Sequence, residues 1–315
     1  MRRLANISGI TCILFLAWKV ALLIFTAQPV PSNDAFFYDG PVVNYLLHGR
    51  YCNPSLAMVM PISGREVFSA YPPLYQGVLL GWMKCFGTSA LAAMWLHVGL
   101  LAVFVVTVLM IFRQLRVPAI VVNLAGLFLF GITFHDRPDT LAHVLGVLAI
   151  LAVVRGLAWP AAAFLLLTFG TSLQIGAIYS LWVALLTVGA TWLRSAQFPW
   201  AAAATLMGVL AALVALVKFG CPQLWAGFQE HVRITPALTG LRVPRAEDLL
   251  KVARTASGII LVVIALAWRA LSGGISRERL RGSPPMLVAL GGMLTALVLM
   301  GGCLFVLTPN TIHIA

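Results

Sequence analysis

Apolar residues along the chain fall in unbroken runs, separated by short polar links. The runs cover approximately 7–27, 90–112, 117–134, 139–155, 158–171, 175–193, 199–217, 256–271 and 285–307. Most approach the roughly 20 residues that an α-helix needs to cross about 30 Å of hydrocarbon. The pattern predicts an all-α, polytopic membrane protein with about nine transmembrane helices. The fifth run is short, and Thr171-Ser172-Leu173-Gln174 predicts a tight hairpin joining it to the sixth.

Two longer polar stretches remain, 28–89 and 218–255. In the first, Asp39–Leu47 reads as a short surface helix entered through Pro41 and ended at Gly49. Tyr71-Pro72-Pro73-Leu74-Tyr75 then opens a second apolar helix that runs to Phe86 and stops at Gly87. Proline suits a first helical turn because its missing N–H has no partner there anyway. A surface or re-entrant path is expected for this helix, since a full crossing would invert every later link. The organisation is then a membrane module over 1–217 with its first outer loop at 28–89, an outer basic loop at 218–255, and C-terminal spans over 256–315.

Composition strengthens the membrane reading. Of the 315 residues 61% are hydrophobic and 10% charged, against about 25% charged in a soluble domain. The net charge of +12 does not point to nucleic acid, because the basic residues cluster at run ends. Arg2/Arg3, Arg113/Arg116, Arg155, Arg194 and the Arg269–Arg281 group all fall on one side under a nine-span count. That is the positive-inside pattern, and it sets the N-terminus in the cytoplasm. The first run is too long for a signal peptide and lacks a small-x-small cleavage site, so it reads as an uncleaved span. The five cysteines show no Cys-x-x-Cys spacing and suggest neither zinc nor a redox dithiol.

The same count places eight of the nine acidic residues, all but Glu278, on the outer face. Asp136 and Asp139 sit in His135-Asp136-Arg137-Pro138-Asp139, a short link that holds them at the membrane surface. Carboxylates there are costly and are usually helix caps or functional groups. Aspartates from two outer loops suit a general base that deprotonates a hydroxyl or amine, with a second acid orienting the nucleophile or holding a divalent metal such as Mg or Mn. Asp34 and Asp139 are the candidate metal ligands. Arg233, Arg242 and Arg245 of the later loop are candidates to meet a phosphate.

In three segments the sequence resembles the GT-C superfamily, polytopic glycosyltransferases such as the protein O-mannosyltransferases and the aminoarabinose transferases of lipid A. The first is the acidic stretch Asn33-Asp34-Ala35-Phe36-Phe37-Tyr38-Asp39-Gly40, with Leu47-His48-Gly49-Arg50-Tyr51 after it. The second is Tyr71-Pro72-Pro73-Leu74-Tyr75, and the third Arg137-Pro138-Asp139. The resemblance covers about 7–217. It implies transfer of a sugar from a polyprenyl-phosphate donor to an acceptor on the extracytoplasmic face of a bacterial inner membrane. It also implies that Asp34 or Asp39 is the catalytic base and Asp139 the second acid, with Tyr71, His135, Asp136 and Arg137 beside the substrate. Relatives often carry a lysine in the hairpin at Ser172-Leu173-Gln174, and here there is none.

Two other classes fit the same composition. A flippase or transporter of a lipid-linked sugar needs polar residues near the bilayer midplane, and the runs offer Lys19, Asn123, His143 and Gln174. His97 and His143 lie near apolar faces and read as packed or interfacial residues rather than ligands. A catalytically silent or truncated protein is the other class, since the chain stops at Ala315 just past an apolar run.

Overall fold

A computed structural model describes residues 33–56, 60–61, 67–114, 138–195 and 200–239, with Ile10, Leu14, Ala17, Trp18 and Ala21. Those five early residues are helical, and Ile10, Leu14 and Trp18 are well exposed. Among the described residues the chain is helical, with no strand. The expected spans at 117–134, 256–271 and 285–307 lie outside the described residues.

The helices are α1 (Asn33–His48), α2 (Leu74–Phe86), α3 (Ala90–Gln114), α4 (Pro138–Val154), α5 (Ala158–Thr171), α6 (Leu173–Ser195), α7 (Trp200–Gly220) and α8 (Pro222–Thr239). Within α3, Ala90–Ile111 is long and apolar enough to cross a membrane; its 22 residues span about 33 Å at the helical rise. Helices α4 and α5 are apolar but shorter. Contacts divide the chain into two units, Met1–Tyr179 with Leu213–His231, and Ser180–Ala212 with Val232–Ala315. The candidate site lies in the first.

Helix α1 starts at Asn33, earlier than the expected Asp39, and it carries Pro41 in its interior rather than at its entry. An interior proline removes the hydrogen bond to the carbonyl four residues back, which here is that of Phe37. The side chain of Asn53 replaces it, donating from Nδ2 to Phe37 O at 3.1 Å. Gly40 permits the approach, because a Cβ there would lie 2.8 Å from that same nitrogen. The sequence pattern misplaced the helix start because the compensating donor comes from beyond the following turn. Asn53→Ala is expected to destabilise the protein by about 2 kcal/mol, the cost of an orphaned buried carbonyl. Thermal unfolding of the purified protein in detergent measures it.

Gly49 ends α1 with φ 70°, and its N–H donates to Tyr45 O at 2.8 Å. The Asn44 amide ties down the turn that follows, donating to Arg50 O at 2.9 Å and Cys52 O at 3.2 Å. Helix α2 matches its sequence signals at both ends. Pro73 occupies the N-cap position, and Gly87, at φ 93°, donates to Met83 O. Its 13 residues rise only about 20 Å, too little for a crossing. Across the next turn Trp82 Nε1 donates to Ala92 O at 2.7 Å, and Ser89 Oγ accepts from Ala92 N at 3.1 Å as the N-cap of α3.

Helix α4 opens with Pro138 in its first turn and is buried around most of its circumference, as befits a central helix. It packs most extensively on α5 and α3. The α5–α6 break falls at Ser172, whose backbone is extended (φ −150°, ψ 120°). The expected hairpin is thus confined to one residue. Gly176 lets α6 fold back closely on Phe169, whose backbone a Cβ would meet at 2.9 Å. Helix α8 forms where an outer basic loop was expected. Its start is proline-led, and Gly227 within it packs on the backbone of Ser69, with no room for a side chain.

Candidate functional site

Helix α2 touches α1, α3, α4 and α5. Its Tyr75 is fully buried and joins two of these helices by hydrogen bonds. The phenol donates to Asp39 Oδ1 of α1 at 2.8 Å and lies 2.9 Å from His97 Nε2 of α3. A phenol carries one proton. With that proton directed at Asp39, the oxygen's lone pairs face His97, and the role of the imidazole follows its tautomer. All three side chains are buried, Asp39 at 9% exposure and His97 at 4%.

Aromatic rings close over this chain of bonds. Tyr38 meets Tyr71 edge to face at 5.0 Å between centroids, and Phe37 meets Phe68 at 5.9 Å. Such contacts add about 0.5–1.5 kcal/mol beyond burial. These ring contacts join Phe68 and Tyr71 to α1. On the far side of Phe68 lies Tyr51, at 6.3 Å. Burial pushes its phenol well above the ordinary tyrosine pKa.

Asp39 does not stand at the start of its helix, as the expected bounds had it. It sits midway along α1 and accepts a buried hydrogen bond. Asp34 lies in the first turn of α1. Asp139 lies in the first turn of α4, half-buried. Tyr71 is buried against Tyr38. Arg233 belongs to α8. His135, Asp136, Arg137, Arg242 and Arg245 lie outside the described residues. Among those that are described, no three His, Cys, Asp or Glu side chains gather within reach of one ion, and a metal held by Asp34 and Asp139 rests on the sequence alone.

Sequence reasoning passed over the hydroxyl of Tyr75 and read His97 as a packing residue. His97 is packed, and it is also tied to the acidic helix through Tyr75. A second, part-buried pair was missed as well: His143 Nδ1 of α4 lies 3.2 Å from the Tyr179 hydroxyl of α6. The available signal was one polar ring on each of two apolar helices. Tyr75→Phe is expected to lower stability by about 2 kcal/mol, since the buried Asp39 carboxylate loses a donor. Thermal unfolding alongside wild type reads it directly.

Comparison with protein-family models, curated proteins and solved structures finds no match to this chain.

Proposed function

We propose that this protein is a polytopic membrane glycosyltransferase of the GT-C type, with about nine spans. In this reading it moves a sugar from a polyprenyl-phosphate donor to an acceptor at the extracytoplasmic face. The observation that carries the reading is the buried Tyr75–Asp39 hydrogen bond. It joins two segments that the resemblance singles out independently, the acidic stretch after the first apolar run and the aromatic-Pro-Pro-Leu-Tyr segment. The third, with Asp139, belongs to a helix that also touches α2.

In this reading the two aspartates take different roles, which the burial of Asp39 against Tyr75 supports. Asp39 is buried and engaged, which suits a positioning residue that fixes α1 against α2 and α3. Asp34 is the base. Its carboxylate takes the proton from the acceptor hydroxyl or amine, and the freed lone pair attacks the anomeric carbon of the donor sugar. The bond from that carbon to the phosphate oxygen breaks, polyprenyl phosphate leaves with the electron pair, and the configuration at the carbon inverts. Helix α1 and the short α2 lie along the membrane surface, and Asp139 completes the acidic site from the second outer loop. Arg233, Arg242 and Arg245 are the candidates for the lipid phosphate on the sequence alone.

The test is release of polyprenyl phosphate by the purified protein in vesicles, supplied in turn with polyprenyl-phosphate-linked hexoses and pentoses and with extracted cell-envelope acceptors. Release from at least one donor, dependent on acceptor, supports the reading. No release from any donor overturns it.

A further inference from the structure

Helices α4 and α5 pack on each other more extensively than any other described pair, and a short turn joins them into a hairpin. Backbone hydrogen bonds fix that turn. Gly156, at φ 74°, donates from its N–H to Val153 O at 2.9 Å, and the Leu157 N–H reaches back to Ala152 O at 2.8 Å. This paired pattern satisfies the last carbonyls of α4. Pro160 stands in the first turn of α5, where its missing N–H costs nothing. The turn so held displays three side chains outward. Arg155 is exposed and Leu157 is 47% exposed. Trp159, at 86%, is more exposed than any other large apolar side chain among the described residues.

The lengths of the two helices say what this end meets. Helix α4 has 17 residues and α5 has 14, which rise about 25 Å and about 21 Å. The hydrocarbon of a bilayer is roughly 30 Å thick, so the hairpin is too short to reach both surfaces. Its open end is fixed beside α2: a Cβ on Gly170, near the end of α5, would touch Leu74 at 3.6 Å. In the proposed topology that end lies at the outer surface with α1 and α2, and the shortfall falls at the turn. A short apolar hairpin is accommodated by local thinning of the bilayer and by long flanking side chains that reach the headgroups. Arg155 and Trp159 are such side chains. A guanidinium pairs with phosphate, and an indole keeps its ring in the apolar layer while its N–H faces the polar one. Under the nine-span count this end faces the cytoplasm, the side on which the leaflet carries anionic lipid.

We propose that the α4–α5 turn docks the headgroup of an anionic phospholipid, with the Arg155 guanidinium on the phosphate and Trp159 beside the glycerol backbone. The site rests on the membrane spans of the proposed function and not on the transfer reaction. It ties the short hairpin to the inner surface and so sets the depth of α4, whose opposite end carries Asp139.

The test uses the full-length protein. Membranes are washed with alkaline carbonate, and the retained protein is purified and delipidated in detergent. It is then offered an equimolar mixture of phosphatidylglycerol and phosphatidylcholine. Bound lipid is counted by native mass spectrometry, and thermal unfolding checks that each variant is folded. The ratio of phosphatidylglycerol to phosphatidylcholine is expected to be about fivefold higher for wild type than for Arg155→Gln, the factor that one cation near an anionic surface supplies. Arg155→Lys is expected to keep most of the preference, and Trp159→Ala to retain less of both lipids. A folded Arg155→Gln variant with the wild-type ratio overturns the site. Inorganic phosphate that displaces the phosphatidylglycerol and binds in an Arg155-dependent way overturns the lipid as occupant. Release of the protein by the carbonate wash overturns the spans and this site together, whereas retained protein with no Arg155-dependent preference overturns the site alone.

Discussion

Asp34→Asn is expected to lower sugar transfer by about 10³-fold, the middle of the range that a general base contributes, while Asp39→Asn retains most of it. Both substitutions remove one negative charge from α1 and change almost no volume. A charge effect spread over the helix would therefore reduce both alike. The difference lies in what each side chain does. An asparagine at 39 keeps a carbonyl oxygen that accepts from the Tyr75 hydroxyl, so the link between α1, α2 and α3 survives with a weaker, neutral hydrogen bond. An asparagine at 34 cannot take a proton from the acceptor at neutral pH. Asp39→Leu, which cannot accept at all, leaves the phenol without that partner and is expected to unfold at a lower temperature. The measurement is polyprenyl phosphate release at saturating donor, with thermal unfolding of each variant in parallel. Loss of transfer in Asp39→Asn at unchanged stability, with full activity in Asp34→Asn, would reverse the two roles.

Gly146→Val is expected to destabilise the protein by at least about 3 kcal/mol, at the upper end for overpacking a well-filled interior. The ring of Tyr179 lies directly against the Cα of Gly146, and a Cβ there would overlap three of its carbons. Neither partner has room to yield. Gly146 is on α4, which is buried nearly all round. Tyr179 is held by its hydroxyl near His143 and by ring contact with that imidazole at 5.8 Å. Moving the ring breaks both contacts and leaves two polar groups to be resettled in an apolar bundle. The double variant Gly146→Val/Tyr179→Ala tests the cause. If ring overlap dominates, the second change recovers part of the stability that the first removes, and the two effects are strongly non-additive. Simple addition of the two losses would place the cost elsewhere. Thermal unfolding of the four proteins of the cycle decides it.

Five of the described helices were legible from run length alone. The expected bounds 90–112, 139–155, 158–171, 175–193 and 199–217 compare with Ala90–Gln114, Pro138–Val154, Ala158–Thr171, Leu173–Ser195 and Trp200–Gly220. Such runs need no partner to declare themselves, because each satisfies its own backbone hydrogen bonds. The stops at Gly49 and Gly87 were legible for a related reason: the left-handed backbone each adopts suits glycine. Two bounds escaped. The start of α1 depends on Asn53 reaching back to Phe37, a contact between residues 16 apart in sequence. Helix α8 begins at a proline that looks from the sequence like part of a loop, and its close seat on Ser69 exists only after folding.

For the site, the sequence by itself determined which residue types were available. Few acids occur in so apolar a chain, and those in the segments after the first apolar run and at the head of α4 stood out at once. It left Asp34 and Asp39 competing for one role, because spacing along one helix cannot say which carboxylate meets a partner from another. Tertiary structure brings Tyr75 and His97 to Asp39. A hydrogen bond between residues 36 positions apart is a property of how α1, α2 and α3 pack, and hydrophobic periodicity records only that each of those helices has a face to bury.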